Sequence, residues 1–365
     1  MSIIDEVSLA RQDIRTDDYS MSIGEWISLY ESKELDIHPE FQRFFRWTEQ
    51  QKSNLIESIL LGIPLPPIFV SQRRDGVWDV IDGLQRLSTL FQFVGILTDE
   101  QERPVEPLSL KKTTYLPSLE GKKWESDVAE VTIPDELKRS IKRSKINVSI
   151  ILKESNENTK YDLFQRLNTG GSQLSPQEVR NCILVMVDPD FYRWVHDLSR
   201  KQAFQESIAL SDKPLAEAYD LEQVLRFLIL SEATEEELAA VGDLGVYLNT
   251  KMVDMAKDPA FDRDGWARRF GSTFDLLNDK IGDNAFKRYS VGKGRHEGGF
   301  LVSQFEAVAC GVAWNLERAS LREDIADAVA GIWSDREFTD WTGSGVTAAR
   351  RLRRIVPFAR RHFAA

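Results

Sequence analysis

An acid, an amide and a guanidinium lie close together within residues 77–87, in an order that suits phosphate chemistry. Asp82 and Gly83 end a run of strand-forming residues, and Gln85 and Arg86 follow directly. A carboxylate can hold a metal ion or a ribose hydroxyl, and a guanidinium can bind two phosphate oxygens at once. The amide of Gln85 can orient a water molecule or a phosphate. These residues predict a binding site for a phosphate-bearing ligand.

The residues on either side predict a strand that turns directly into a helix. Gly83 permits a tight turn and a close approach of a ligand to the backbone. A helix entered in this way directs free N–H groups and the positive end of its dipole towards an anion. The alternative is an ordinary Asp-Gly connection with a solvated arginine, because short motifs often occur by chance. The apolar residues that carry the pattern are Val77, Trp78, Val80 and Ile81, then Leu87, Leu90, Phe91 and Val94 at helical spacing.

The bulk composition is that of a globular protein. With 365 residues, of which 42% are hydrophobic and 29% charged, the chain can form two domains or one large one. It has no apolar run of membrane-spanning length, and residues 1–15 lack the core of a signal peptide. Both features favour a cytoplasmic protein without membrane contact. Cys182 and Cys310 lie in apolar helical patterns, so we expect buried thiols rather than a disulfide.

Charge is distributed unevenly along the chain. The net charge of −11 argues against wholesale coating of nucleic acid, but residues 343–365 contain six arginines and no acid. Such a patch on an acidic chain suits a restricted, salt-sensitive contact with nucleic acid or with an acidic partner. We assign this contact to Arg350, Arg351, Arg353 and Arg354, and a second basic group comprises Lys138, Arg139, Lys142, Arg143 and Lys145. For both groups, an ordinary solvated helix face is an equally good interpretation.

The spacing of apolar residues predicts an α+β protein that divides near residue 190. Strand and helix patterns alternate in residues 1–190 and predict a domain with a small mixed sheet, whereas helical periods dominate residues 191–365. The second domain is therefore expected to be all-α and to end in the basic helix. Residues 289–300 contain several glycines and predict a flexible or ligand-covering loop.

Three segments stand in a fixed order along the chain: residues 39–43 (PEFQR), residues 81–87 (IDGLQRL) and residues 164–171 (FQRLNTGG), the last followed by Glu178 and by Arg180-Asn181. In this order they resemble the N-terminal domain family of GmrSD-type modification-dependent restriction systems. That family resembles the ParB/sulfiredoxin fold and also supplies the sensing half of phosphorothioate-dependent defence proteins such as SspE. The resemblance covers most of the chain and is densest over residues 20–185.

The resemblance implies binding and hydrolysis of a nucleoside triphosphate by the Asp-Gly-Gln-Gln-Arg element of the family. Carried over, it marks Asp82, Gln85 and Arg86 as catalytic, with Gly83 and Arg86 at the nucleotide. The first glutamine of the family element is Leu84 here, and we expect its side chain to turn inward. The resemblance also implies that four more residues line the same pocket, namely Gln42, Arg43, Asn168 and Thr169.

The histidines needed for a nuclease domain are missing from the sequence. Many relatives carry a C-terminal His-Asn-His nuclease domain, but His296 and His362 have no Asn or His partner at close spacing. We therefore predict a nucleotide-hydrolysing sensor subunit of a prokaryotic DNA-targeting defence system, using Mg²⁺ bound by Asp82 and a nucleoside triphosphate. The nuclease would be a separate chain.

Two alternatives remain at this point. One is a nucleotide-gated module that binds DNA or a protein partner without hydrolysis, and the less favoured one is a nuclease acting through the same pocket. Modified DNA and a second copy of the chain are partners that the sequence leaves open. The identity of the nucleotide is equally open.

Overall fold

The chain divides into two compact units, residues 1–174 and residues 175–365. The computed structural model describes residue 3 and residues 15–37, 47–99, 101–153, 175–318, 320–343 and 345–365. Four residues with predicted roles lie outside these ranges, so their roles stay predictions: Gln42, Arg43, Asn168 and Thr169.

The first unit contains a mixed five-stranded sheet with the strand order β1-β5-β3-β4-β2. The pairs β1/β5 and β3/β4 are antiparallel, and the pairs β5/β3 and β4/β2 are parallel. Among the described residues, strands β1 and β2 therefore form the two edges, and residues 16–20 of β1 are exposed. The strands are β1 (Thr16–Ser22), β2 (Leu35–Asp36), β3 (Ile68–Gln72), β4 (Trp78–Asp82) and β5 (Lys145–Ile151).

Two helices of the first unit begin at side-chain caps that the sequence makes recognisable. Thr48 and Gln51 form a capping box at the start of α2, as their spacing predicts. Ser22 caps α1 by accepting a hydrogen bond from the N–H of Glu25 at 3.2 Å. The helices are α1 (Ile23–Glu31), α2 (Glu49–Leu60), α3 (Leu84–Val94) and α4 (Asp135–Arg143), and they bury the aromatic residues Trp26, Phe91 and Phe93.

The second unit is helical. Its first helix starts with a capping box between Ser175 and Glu178 and a proline at the first helical position, as the sequence predicts. The helices are α5 (Pro176–Val187), α6 (Pro189–Ser199), α7 (Gln202–Ile208), α8 (Asp212–Ala216), α9 (Tyr219–Leu230), α10 (Glu235–Ala240), α11 (Leu244–Lys257), α12 (Arg263–Lys280), α13 (Val302–Glu317), α14 (Ile325–Gly331), α15 (Arg336–Thr342) and α16 (Ala348–His362).

One β-hairpin interrupts the helices of the second unit. Strands β6 (Lys287–Ser290) and β7 (Arg295–Phe300) pair antiparallel, with Tyr289 opposite His296. The prediction of a loop over residues 289–300 is therefore wrong for the strand residues, and the second half is not purely α-helical. Glycine is depleted in strands, which is why Gly298 and Gly299 concealed β7 from sequence analysis.

The α+β class is confirmed, with a small mixed sheet followed by a helical half. Helix α5 lies in the second unit, whereas the sequence placed the domain boundary after residue 190. The relation to the ParB/sulfiredoxin fold stays a prediction. In the part of the chain that the structure describes, no helix has both the length and the apolar character needed to cross a bilayer.

Candidate functional site

The junction between β4 and α3 requires a glycine. Strand β4 ends at Asp82, Gly83 has φ of +100°, and α3 begins at Leu84. A Cβ atom on Gly83 would lie 2.7 Å from Cγ1 of Ile68 and 3.2 Å from Nη2 of Arg86. Both the left-handed backbone and the close packing therefore exclude other residue types at this position.

The first turn of α3 has no side-chain cap. Gly83 occupies the N-cap position and offers no side-chain acceptor. The hydrogen bond from Leu87 N to Gly83 O, at 3.0 Å, closes the first helical turn. The N–H groups ahead of Leu87 have no intrahelical acceptor, and they lie at the positive end of the helix dipole. The junction therefore presents backbone donors that suit an anionic group.

Arg86 and Asp82 contact each other across this junction. The Nη2 atom of Arg86 lies 3.2 Å from Oδ2 of Asp82 and also donates to the carbonyl of Pro67 at 3.2 Å, while Nη1 donates to the carbonyl of Pro66. The arginine is only 9% exposed. Burial lowers the pKa of Arg86, and the adjacent Asp82 opposes that shift. In this conformation the guanidinium holds the segment before β3 and the carboxylate of Asp82 together.

Asp82 is the accessible member of the pair, with 39% of its side chain exposed. Its Oδ2 atom bonds to Arg86, and its Oδ1 atom has no hydrogen-bond partner among the described residues. One carboxylate together with phosphate oxygens is a common ligand set for Mg²⁺. Asp82 therefore fits the predicted metal role. No group of three or more His, Cys, Asp and Glu side chains that could hold a metal ion occurs within the described ranges.

Gln85 connects α3 to the residue that precedes α2. Its Oε1 atom accepts a hydrogen bond from the backbone N–H of Trp47 at 3.2 Å, which fixes the amide plane. Leu84 is 5% exposed, so the expectation that it turns inward is confirmed. The structure thus brings Asp82, Gly83, Gln85 and Arg86 to one strand–helix junction.

The arginines assigned to the basic tail fall into two groups in the structure. Arg350, Arg353 and Arg354 are exposed, although Arg353 donates to the carbonyl of Val241 at 2.9 Å. The guanidinium of Arg354 lies 5.4 Å from the ring centroid of Trp341. These three residues remain candidates for contact with a nucleic acid or a partner.

Arg351 belongs instead to a mostly buried ionic network that sequence analysis did not find. It donates to Glu306 at 2.8 and 3.1 Å, and Glu306 also pairs with Arg226. Arg226 bonds to Glu222 at 2.6 Å, and Glu222 bonds to Arg180 at 3.0 Å. The side chains in this chain of contacts are between 0% and 13% exposed, so Arg351 stabilises the helical unit. The available signal was a Glu–Arg pair four residues apart inside an apolar helix.

The first unit is thus an α+β domain in which an acid and a guanidinium meet at a glycine-bordered strand–helix junction. Comparison with known families is more specific: residues 23–185 match the family model described as GmrSD restriction endonuclease, N-terminal domain. This match supports the resemblance drawn from the three motifs over the residues that it covers, which are similar to a domain of restriction-type defence proteins. The matched segment begins with α1 and ends within α5. No curated protein and no solved structure gives a significant match to the chain.

Proposed function

We propose that this chain is the nucleotide-binding and nucleotide-hydrolysing sensor subunit of a restriction-like, DNA-targeting defence system, with the nuclease on a separate chain. The observation that carries the proposal is the contact between Asp82 and Arg86 beside the uncapped start of α3. The family match over residues 23–185 supports the restriction context.

The junction has the features that a magnesium–nucleotide ligand needs. Asp82 supplies a carboxylate with one free oxygen among the described residues, and the backbone N–H groups of the first turn of α3 suit phosphate oxygens. Gly83 permits the left-handed backbone that turns β4 directly into α3 at that point. A bound Mg²⁺ ion would neutralise charge on the phosphates.

Gln85 and Arg86 have different roles in this proposal. The bond from Trp47 N to Gln85 Oε1 holds the amide in place, so that its nitrogen can orient a water molecule. Arg86 is a positioning residue, because it is buried and acts on the ligand through Asp82. The proposed contributions of Gln42, Arg43, Asn168 and Thr169 to the same pocket rest on the resemblance alone.

The placement of two histidines supports the assignment of the nuclease to another chain. His296 lies in β7 with its Nδ1 atom 3.3 Å from the carbonyl of Lys287, and the Nε2 atom of His362 lies 2.9 Å from the carbonyl of Ala328. Each ring is therefore engaged with the backbone of its own unit.

Modified DNA and a second copy of the chain are proposed partners.

Phosphate release from each of the four ribonucleoside triphosphates tests the proposal. The assay is run with Mg²⁺, with and without modified and unmodified DNA, on the full chain. Nucleotide binding is measured separately by calorimetry. We expect Asp82→Asn to reduce phosphate release by about 100-fold while the protein stays folded, and Gln85→Ala to reduce it with little change in nucleotide affinity.

A matched control comes from an exposed acid in the same unit. Asp75 lies in the turn between β3 and β4, and Asp75→Asn makes the same chemical change away from the junction. Its phosphate release is expected to equal that of the wild type. The proposal fails when the wild-type chain binds none of the four nucleotides, or when Asp82→Asn and Asp75→Asn behave alike.

One observation favours a second function, a nucleotide-gated module that does not hydrolyse its ligand. Both Nη atoms of Arg86 bond to Asp82 or to main-chain carbonyls, so the guanidinium is withheld from direct contact with phosphate. Tight nucleotide binding without phosphate release, in the presence of DNA, is the result that selects this function over hydrolysis.

A further inference from the structure

The basic residues of α4 divide into two groups with different surroundings. Lys138 pairs with Glu125 at 2.7 Å, and the ammonium groups of Lys138 and Lys142 lie 5.8 and 5.9 Å from the ring centroid of Trp124. These lysines are engaged within the first unit. Arg139 and Arg143 are exposed, and neither forms an ion pair with any residue that the structure describes.

The two arginines line an open, shallow groove of about 390 Å³, whose described lining residues all belong to α4 or to its C-cap. Ser140 and Ser144 contribute hydroxyl groups to the same groove, and Glu136 contributes a carboxylate. Arg139 and Arg143 are four residues apart, which in a helix puts them on one face with a rise of about 6 Å between them. The groove therefore presents two neighbouring guanidinium groups together with the hydroxyl of Ser140.

The end of α4 that carries the groove is fixed to the rest of the unit. The carbonyl of Ser144 accepts a hydrogen bond from the N–H of Ile23 at 2.8 Å, and the Oγ atom of Ser144 donates to the carbonyl of Ser140 at 3.0 Å. Ile141, between the two arginines, is fully buried. The backbone that presents the guanidinium groups is thus ordered in advance, which lowers the entropic cost of binding.

We infer that this face of α4 binds the sugar–phosphate backbone of duplex DNA, with Arg139 and Arg143 on neighbouring phosphates. Guanidinium groups bind phosphate oxygens in a fork, and a helix face with two of them matches a repeating anion. The chain carries a net charge of −11, so contact with DNA is confined to local basic surfaces, and this groove is one of them. The inference rests on the proposed function in taking DNA as the polyanion.

The binding is expected to be independent of base sequence. Phosphate contacts fix the position of a protein on the duplex and carry no sequence information. A face of this kind would hold the duplex in place while other residues recognise its bases or their modifications. Glu136 opposes the interaction, because its carboxylate lies in the same groove as the two guanidinium groups.

Fluorescence anisotropy with short duplexes of two unrelated sequences tests the inference on the full chain. We expect Arg139→Ala/Arg143→Ala to weaken binding roughly tenfold at low salt and to flatten the plot of log affinity against log salt by about 2. Both sequences should lose the same factor. Glu136→Gln should strengthen binding, because it removes the repelling charge.

The matched control is Arg74→Ala/Lys112→Ala. Both of these residues are exposed in the first unit, and neither has an ion-pair partner within the described ranges. The control removes the same charge and should change affinity less than about twofold. The inference is overturned by equal losses in the two double variants, by no DNA binding of the wild type, or by equally tight binding of polyglutamate.

Nucleotide binding separates this inference from the proposed function. The variants of α4 should keep the nucleotide affinity of the wild type, because the altered side chains lie outside the β4–α3 junction. DNA binding that depends on Arg139 and Arg143 in a chain without nucleotide binding would support this inference and refute the proposed function. The reverse result would leave the proposed function in place and refute this one.

Discussion

The guanidinium of Arg86 and the carboxylate of Asp82 meet at 3.2 Å between Nη2 and Oδ2, four residues apart in the sequence and on opposite sides of the turn at Gly83. The same guanidinium donates to the carbonyl groups of Pro66 and Pro67. A single side chain therefore joins the end of β4, the start of α3 and the segment that leads into β3. Substitutions of Arg86 should therefore lower the stability of the fold more than they lower ligand affinity directly.

We predict that Arg86→Met lowers the free energy of unfolding by roughly 1–3 kcal/mol, because it leaves Asp82 and the carbonyls of Pro66 and Pro67 without their donor. Urea denaturation measures the loss. Arg86→Lys keeps the charge but not the fork, so its stability should fall between those of Arg86→Met and the wild type. Unchanged stability of Arg86→Met would show that the guanidinium is not a structural brace.

Gly83→Ala should destabilise the first unit by about 3 kcal/mol, since it combines a left-handed backbone with a Cβ atom 2.7 Å from Ile68. Gly76→Ala is the control, because Gly76 has φ of +93° but nothing within 4 Å of an added Cβ. It should cost only about 1 kcal/mol of backbone strain. Thermal unfolding of the two variants separates the packing cost from the conformational cost.

The ionic network of the second unit predicts that removing a single charged side chain from it lowers the stability of the fold strongly. Arg226→Leu leaves Glu222 and Glu306 buried without a shared cation and should lower the free energy of unfolding by roughly 3–5 kcal/mol. The control Arg193→Ala removes an exposed arginine paired with Asp190 and should cost less than about 1 kcal/mol. Equal costs in chemical denaturation would contradict the burial of the network.

Glu57 predicts a loss of stability in acid. Hydrogen bonds from Thr113 and from the N–H groups of Tyr115 and Leu116 hold the pKa of this carboxyl below its ordinary 4.5, although burial opposes the shift. The folded state thus favours the carboxylate, so its stabilisation is present above about pH 4.5 and disappears as the pH falls through the lowered value. Glu57→Gln keeps one acceptor oxygen and should flatten the acid side of the melting-temperature profile. An identical profile for the variant would exclude this residue as the cause.

The two thiols are expected to be unreactive in the folded chain. Burial raises the pKa of Cys182 well above its usual range and raises the pKa of Cys310 to about 12. Since the thiolate is the reactive form, a thiol reagent at mildly alkaline pH should modify each cysteine only as fast as the protein unfolds. Rapid modification of the native protein, resolved by mass spectrometry of each cysteine peptide, would contradict this placement.

Local sequence signals account for the junction and the helix caps. The strand before Asp82, the glycine after it and the capping boxes at Thr48 and Ser175 are each encoded within a few residues, so they could be predicted. The contacts of Arg86 with Pro66 and Pro67 could not, because they depend on how β3 and β4 pair.

Long-range packing explains the remaining differences between the predictions from sequence and the structure. Arg226 and Glu306 are 80 residues apart, and the sequence around each residue gives no indication that the two side chains form a pair. Arg351 has the surroundings of a tail arginine in the sequence, yet Glu306 draws it into the interior. The hairpin of β6 and β7 was missed because the two strands are defined by their hydrogen-bonded pairing, while the glycines of β7 do not predict a strand.

The edges of the five-stranded sheet bear on how the protein behaves in concentrated solution. Strand β2 has only two residues, and the exposed strand β1 carries Asp17 and Asp18 at its outer edge. A short or acidic border offers a poor template for strand addition by another molecule. Prolonged storage should therefore yield little amyloid-type material as long as the sheet stays folded.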